Sequence, residues 1–167
     1  MNARDMERAV AGQDAVIVAL GISESAFQVR LRGSAGTPMD IRSAGTRNVI
    51  AAMQRHGVRK LVVQTSFGVG ETRQKLPFLY RLFFKLVLKP QIADTELQEQ
   101  AVRANGLDWV IAQPVNLTDR PDMEEAFASP DGEVRGMQIS RKRVGRFLAE
   151  AMQNASYIGR SMALSAA

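Results

Sequence analysis

The chain has 167 residues, 46% of them hydrophobic and 23% charged, which is enough for one domain over residues 1–167 with a sizeable core. It has no cysteine, which excludes disulfides, thiolate metal sites and thiol catalysis and favours a cytoplasmic location. Its single histidine argues against a histidine-based metal cluster, and no metal-ligand spacing stands out. A formal net charge of +5 suits an anionic ligand, whereas no basic motif carries the aromatic residues typical of nucleic-acid binding, and no apolar run approaches the roughly 20 residues that span a bilayer.

The first predicted elements are a helix, a strand and a long loop. Residues 5–11 place apolar side chains at helical spacing, and residues 14–20, DAVIVAL, form an apolar run typical of a strand buried on both faces. Gly21 follows this strand and permits close approach of backbone or ligand. Residues 22–36 lose periodicity and gain serine and glycine, which predicts a mobile loop at the same edge of the sheet.

A second helix is predicted from Thr37 to Gly57. Thr37 supplies a capping hydroxyl, Pro38 suits the first helical position, and Asp40 stands near the positive end of the helix dipole.

The stretch 57–70, GVRKLVVQTSFGVG, is the centre of the predicted fold. Its apolar core, residues 61–63, is typical of a strand buried on both faces, and the run stops at Thr65 and Ser66. Open α/β sheets bind their ligands at the carboxyl ends of the strands. The two hydroxyls therefore predict a binding site, although they do not name its chemistry.

Residues 76–89, LPFLYRLFFKLVLK, predict a helix that is apolar nearly all round and ends at Pro90. Such a helix is buried in the protein, seated in a subunit interface, or laid on a membrane surface with its basic residues outward. We expect burial or a dimer contact, since the segment is short and has few polar residues to face water.

The remaining predicted elements complete a parallel sheet. Residues 95–98 form a capping box that opens a helix with Leu97 and Ala101 inward, and the helix dipole accounts for Glu96 and Glu99. A strand over residues 107–113, an irregular polar segment over 117–138, a helix capped by Ser140 and a strand over 161–164 follow. Strands that begin near residues 14, 60, 107 and 161, separated by helices, predict an α/β fold: a parallel sheet with helices on both faces.

Four segments, in chain order, carry a resemblance to a known family: DAVIVALG, GTRNVIAAMQRHGVRKLVVQTSFGVG, GLDWVIAQP and ISRKRVGRFL. Over residues 6–164 the chain resembles the atypical short-chain dehydrogenase/reductases, and within them the NAD(P)H-binding proteins similar to flavin reductase of the biliverdin reductase type. The resemblance implies a Rossmann-type fold that binds NADP(H), or alternatively NAD(H), and hydride transfer to a flavin, a quinone or another conjugated acceptor. Some members of the family only sense the dinucleotide.

The resemblance also implies cofactor contacts at the ends of three strands. Leu20 and Gly21 match positions beside the adenosine and phosphates. Thr65 and Ser66 match strand-end hydroxyls near the nicotinamide, and Ser66 matches the position that often assists hydride transfer in the family. The matched segment whose backbone meets the carboxamide is Pro114, Val115 and Asn116.

The chain departs from the family at the phosphate-binding turn. Dinucleotide binders of this kind open with a glycine-rich turn, because only glycine lets backbone N–H groups reach the pyrophosphate, and the sequence has no such turn. In the family, about 60 residues with the first strands precede the position of Met1. We therefore expect an N-terminally truncated Rossmann-type sheet, with residues 14–20 as an edge strand that a second copy covers or that leaves the fold marginal.

Two classes of function stay open from the sequence: a reductase, and a non-catalytic dinucleotide sensor or interaction module, including an inactive fragment. Tyr80 and Lys85 are five residues apart, so they do not share a helix face as a Tyr-x-x-x-Lys pair does. Flavin reduction needs less, because the dinucleotide carries the hydride and the protein holds two ring systems face to face. Ser66 either supports that reaction as a hydrogen-bond donor or only caps the following turn.

Overall fold

The computed structural model describes residues 3–22, 36–86, 88–121 and 125–167, apart from the side chains of Phe84 and Lys85. The predicted loop over 22–36 lies almost wholly outside these residues. The helices are α1 (Ala3–Val10), α2 (Ile41–His56), α3 (Phe78–Leu86), α4 (Lys89–Arg103) and α5 (Arg141–Gln153), with 3₁₀ turns at Gly70–Lys75 and Ala155–Tyr157. The strands are β1 (Ala15–Val18), β2 (Lys60–Gln64), β3 (Asp108–Pro114), β4 (Asn116–Thr118), β5 (Ala126–Ser129), β6 (Gln138–Ser140) and β7 (Arg160–Ala166).

The main sheet has five strands in the order β1-β2-β3-β7-β5. The first four are parallel, which confirms the predicted α/β sheet and its four strands. The strand β5 runs antiparallel to β7, and β4 pairs with β6 in a separate two-stranded sheet. The prediction of an irregular segment over 117–138 was wrong at these three strands, because strands of three or four residues carry too little hydrophobic alternation to be recognised before their partners are known.

Helices cover both faces of the sheet. On one face, Leu61, Val63 and Ile111 pack in a cluster with residues of α1, α2 and α4. On the other face, Val62 and Val110 pack in a cluster with residues of α5. All five side chains are fully buried, and each contributes about 1.5–3 kcal/mol relative to an exposed position. The prediction of strands buried on both faces is confirmed.

Helix α2 begins at Ile41, later than the predicted start at Thr37 and Pro38. Asp40, the residue before the helix, makes no side-chain capping bond. Instead, the carboxylate of Asp94 on α4 accepts hydrogen bonds from the backbone N–H groups of Arg42, at 3.0 Å, and Ser43, at 3.2 Å. The helix start was mispredicted because its cap comes from a distant part of the chain.

The boundary between α3 and α4 also differs from the prediction. Pro90 does not end a helix; it stands in the first turn of α4, where its missing N–H has no helical partner to lose. Thr95 is no cap but lies within α4, and its hydroxyl donates to the carbonyl of Gln91 at 2.8 Å. Leu97, predicted to point inward, is 51% exposed, whereas Glu99 is buried.

Helix α3 exposes much of its apolar surface. Phe78 is 72% exposed, Leu79 76% and Leu86 58%, so the expected burial within the chain is wrong for these side chains. A dimer contact and a membrane-surface contact stay predictions. In the part of the chain that the structure describes, no helix is long and apolar enough to cross a bilayer.

The strand β1 lies at one edge of the main sheet, as predicted, and pairs only with β2 in that sheet. It is shorter than the predicted 14–20. Ile17 on β1 is 37% exposed.

Candidate functional site

A cavity of about 640 Å³ opens at the carboxyl ends of β1, β2 and β3. The structure brings together all of the site residues expected from the sequence, for each of them lines this cavity: Leu20, Gly21, Thr65, Ser66, Pro114, Val115 and Asn116. The convergence follows from the parallel strands, whose carboxyl ends meet at one edge of the sheet. The roles of these residues in binding and catalysis remain predictions.

Backbone hydrogen bonds hold Ser66 against the end of β3. The N–H of Thr65 donates to the carbonyl of Ala112 at 2.8 Å, and the N–H of Phe67 donates to the carbonyl of Pro114 at 2.9 Å. These bonds continue the pairing of β2 and β3 beyond the strand ends. The hydroxyl of Ser66 itself donates to the carbonyl of Phe67 at 3.2 Å, within its own turn.

The hydroxyl of Thr65 is fixed by a buried carboxylate. It donates to Oε1 of Glu99 at 2.7 Å, and Nε2 of Gln113 donates to the same oxygen at 2.9 Å. The other oxygen, Oε2, accepts from Nη1 of Arg103 at 2.9 Å. Glu99 is 1% exposed, and a charge buried so deeply is tolerated only when paired and hydrogen-bonded.

The explanation of Glu99 by the helix dipole was therefore wrong. The dipole acts within the first turn of a helix, and Glu99 lies in the body of α4, which begins at Lys89. One sequence signal does point to its partner, since Arg103 follows it at the spacing that brings helical side chains together. Nothing local links Glu99 to Thr65, which belongs to another element.

The segment after β3 uses several of its backbone groups within the fold. The N–H of Val115 donates to the carbonyl of Leu164 at 3.0 Å, so it is not free to meet a carboxamide. The carbonyl of Pro114 accepts from Phe67 but keeps a second lone pair. The Asn116 side chain donates from Nδ2 to the Tyr80 hydroxyl at 3.1 Å, which joins α3 to the strand end.

Tyr80 lines the cavity, although no pattern in the sequence predicts this position. Its hydroxyl accepts a hydrogen bond from Asn116. Among the described side chains, no lysine forms a hydrogen bond with it. The position of Tyr80 could not be predicted because it depends on how α3 packs against the strand ends. The sequence predicted only that this segment is buried or lies at an interface.

Arg42, in the first turn of α2, is a second residue missed from the sequence. It lines the cavity, and a Cβ atom added to Gly21 would lie 3.7 Å from its Nη2. Its Nη1 is buried and has no hydrogen-bond partner within the described chain. Burial lowers the pKa of Arg42 from its ordinary value, and the charge of Asp94 only partly opposes this.

This parallel sheet, layered by helices and with its cavity at the strand ends, has the architecture of a Rossmann-type dinucleotide-binding domain. A family model described as NAD(P)H-binding matches residues 1–155. The chain belongs to this NAD(P)H-binding family, which confirms the resemblance found in the sequence.

Three solved structures illustrate the likeness. A short-chain dehydrogenase/reductase of Veillonella parvula in complex with NADP is 15% identical, with a TM-score of 0.76 over 99% of this chain and 68% of that one. A Rossmann-fold NAD(P)-binding family protein of Shigella flexneri is 25% identical, with a TM-score of 0.65 over 99% and 66%. ChuY, an anaerobillin reductase of Escherichia coli O157:H7, is 18% identical, with a TM-score of 0.69 over 98% and 70%. The chain thus spans between 66% and 70% of the length of these structures, and they confirm its fold.

The residues of the cavity fit part of a nicotinamide dinucleotide. Leu20, Val115 and Phe83 supply apolar surface for ring systems, and Arg42 supplies a partly buried cation with an unused donor. These residues do not replace the glycine-rich turn that binds the pyrophosphate in dinucleotide-binding domains, and the sequence has no such turn.

Proposed function

We propose that this protein binds NADP(H), with NAD(H) as the alternative, and transfers a hydride to a small conjugated acceptor such as a flavin or a quinone. The observation that supports the proposal is the convergence of three strand ends on one cavity, lined by a hydroxyl, an amide and apolar side chains. The cytoplasmic location expected from the cysteine-free sequence belongs to the same proposal.

In this mechanism the bound dinucleotide supplies the hydride, and the protein supplies binding and orientation. The Ser66 hydroxyl turns from the carbonyl of Phe67 to donate to a polar ligand atom, a rotation that breaks one hydrogen bond of 3.2 Å. Asn116 binds through the amide oxygen and the second N–H that its bond to Tyr80 leaves unused. The apolar walls exclude water from the reacting groups.

The test combines NADPH titration by fluorescence with an assay of flavin-dependent NADPH oxidation. We expect Ser66→Ala to lower kcat/KM by about tenfold or more, the value of a hydrogen bond to a reacting group. Ser156→Ala is the matched control, because Ser156 is exposed in the second 3₁₀ turn and does not line the cavity. Equal activity of both variants would contradict the role of Ser66.

The second candidate is a dinucleotide sensor or interaction module without catalysis. It is favoured by the internal use of the Val115 N–H and of the Ser66 hydroxyl, which leaves fewer free donors at the strand ends. NADPH binding without turnover of flavins or quinones would support it over the reductase. An absence of NADPH binding would contradict the reductase and the dinucleotide sensor and would leave only the interaction module.

A further inference from the structure

The described lining of the cavity carries positive charge. Among the residues that the structure describes, it includes two arginines, Arg42 and Arg141, and no aspartate or glutamate. Arg141 forms an ion pair with Asp119 at 2.7 Å, so its charge is compensated at the surface. Among the described residues no carboxylate forms an ion pair with Arg42, and the charge of Asp94 offsets its burial only in part, so this guanidinium is the less compensated of the two charges.

Asp94, whose charge acts on Arg42, already accepts hydrogen bonds from two backbone N–H groups. Asp94 uses Oδ2 for the backbone N–H of Arg42 and Oδ1 for that of Ser43, so it caps α2 instead of pairing with the guanidinium. A buried donor without a partner costs about 1–3 kcal/mol, and more for a charged group. The folded protein therefore keeps a charged group in an unfavourable environment that an anionic ligand would improve.

We propose that Arg42 is the anion-binding residue of the cavity and that it pairs with a phosphate oxygen of the ligand. This inference rests on the proposed function for the ligand's identity, because a phosphate belongs both to a nicotinamide dinucleotide and to a phosphorylated flavin acceptor. Arg42 lies beside Gly21, which places the guanidinium charge at the end of β1. The planar fork of donors on this guanidinium matches the geometry of phosphate.

The first experiment measures anion binding without any dinucleotide. Inorganic pyrophosphate is titrated by calorimetry into the wild-type chain, Arg42→Met and the control Arg47→Met. Arg47 is exposed on the same helix and outside the cavity lining, so both variants lose one positive charge from α2. We expect Arg42→Met to bind pyrophosphate about tenfold to hundredfold more weakly than the wild type, and Arg47→Met to bind it nearly as well.

A second experiment separates the two sources of phosphate. If Arg42 contacts the dinucleotide, Arg42→Met weakens binding of NADPH, and weakens NADH as well when the contact is to the pyrophosphate. If it contacts the acceptor, the variant loses the preference for FMN over riboflavin. Circular dichroism checks the fold, and where Arg42→Met fails to fold, Arg42→Lys is compared with Arg47→Lys, because lysine keeps the charge but not the fork.

The inference is overturned if pyrophosphate does not bind the wild-type chain, or binds it and Arg42→Met equally. It survives a failure of the proposed function, since pyrophosphate binding that depends on Arg42 can persist when neither NADPH nor flavin is turned over.

Discussion

The Thr65 hydroxyl donates a hydrogen bond of 2.7 Å to the buried Oε1 of Glu99. This contact ties the end of β2 to the middle of α4, and it predicts that Glu99 stabilises the floor of the cavity. Replacing Glu99 with alanine removes the acceptor of three buried or partly buried donors, among them the Arg103 guanidinium, which then keeps its bond to Ser161 and a long ion pair with the exposed Glu71. We expect a loss of about 3–5 kcal/mol in the free energy of unfolding, measured by urea denaturation. Glu99→Gln should lose less, about 1–3 kcal/mol.

The control for Glu99→Gln is Glu96→Gln on the same helix. Glu96 pairs with Arg73, and both side chains are partly or largely exposed, so its loss should stay below about 1 kcal/mol. Equal losses in the free energy of unfolding at the two positions would show that the buried network around Glu99 stabilises the fold no more than the exposed ion pair of Glu96 does.

Gly70 packs against the same carboxylate. Its φ of +55° belongs to the left-handed region, and a Cβ atom added there would lie 2.5 Å from Oε2 of Glu99. Gly70→Ala should therefore combine backbone strain, about 1–2 kcal/mol, with a clash in the network. Gly159→Ala isolates the strain, because Gly159 has a φ of +74° with nothing within 4 Å of its added Cβ. Urea denaturation should show a larger loss for Gly70→Ala; an equal loss would mean that the carboxylate moves freely aside.

Asp94 rather than Asp40 should govern the start of α2. Asp94→Ala removes the acceptor of two backbone N–H groups and should destabilise the fold by about 0.5–2 kcal/mol in thermal or urea unfolding. Asp40→Ala removes no capping bond and should stay within about 0.5 kcal/mol of the wild type. The reverse order would support the cap expected from the local sequence.

Asp108 should titrate below the ordinary range. A hydrogen bond from Arg59 is the largest cause of its lowered pKa; desolvation, the next largest, opposes it, and the charges of Arg59 and Lys60 add to the lowering. Because the folded pKa lies below the unfolded one, the contribution of this pair to stability is present above the unfolded pKa and is lost as the pH falls through the folded pKa. Carboxyl NMR titration of Arg59→Gln should show the pKa of Asp108 moved upward. An unchanged pKa would rule out Arg59 as the cause.

The predicted homodimer has two candidate surfaces, the edge strand β1 and the helix α3. Leu79 on α3 is 76% exposed beside other exposed apolar side chains, and we expect a second copy to cover this larger apolar surface. Leu79→Glu should shift the sedimentation coefficient toward that of a monomer, whereas Ile17→Lys on β1 should leave it unchanged. The opposite pattern would favour the edge strand. A monomeric wild type that co-sediments with anionic vesicles would support the membrane-surface alternative.

The four parallel strands and the position of the cavity could be predicted from the sequence because both depend on local patterns. Residues 61–63 show the apolar run of a doubly covered strand, and Thr65 and Ser66 show where it ends. The contacts that hold the site could not be predicted in this way. Asp94 and Glu99 act on elements far from them in the chain, and their positions within α4 only acquire meaning once that helix is packed against α2 and the sheet.

The predictions of short strands and of helix boundaries were wrong for a related reason. The strand β5 is stabilised by pairing with β7, and its four residues show no pattern of their own. Pro90 stands in the first turn of α4, and its sequence position does not decide between this place and the residue beyond a helix end, because proline suits both. Arg42 could not be predicted as a cavity residue, because a single arginine near a helix start has no local pattern that distinguishes it from a solvated charge.

The carboxylate of Glu99 and the backbone bonds of Thr65 and Phe67 have a consequence for the kinetics of ligand capture. They hold the strand ends in one conformation before any molecule arrives, so little conformational entropy is lost there on association. The ordering penalty falls instead on the more exposed side chains of the lining, such as Phe83 on α3, which is 38% exposed. Differences in affinity between ligands should then arise mainly from how fast each one leaves.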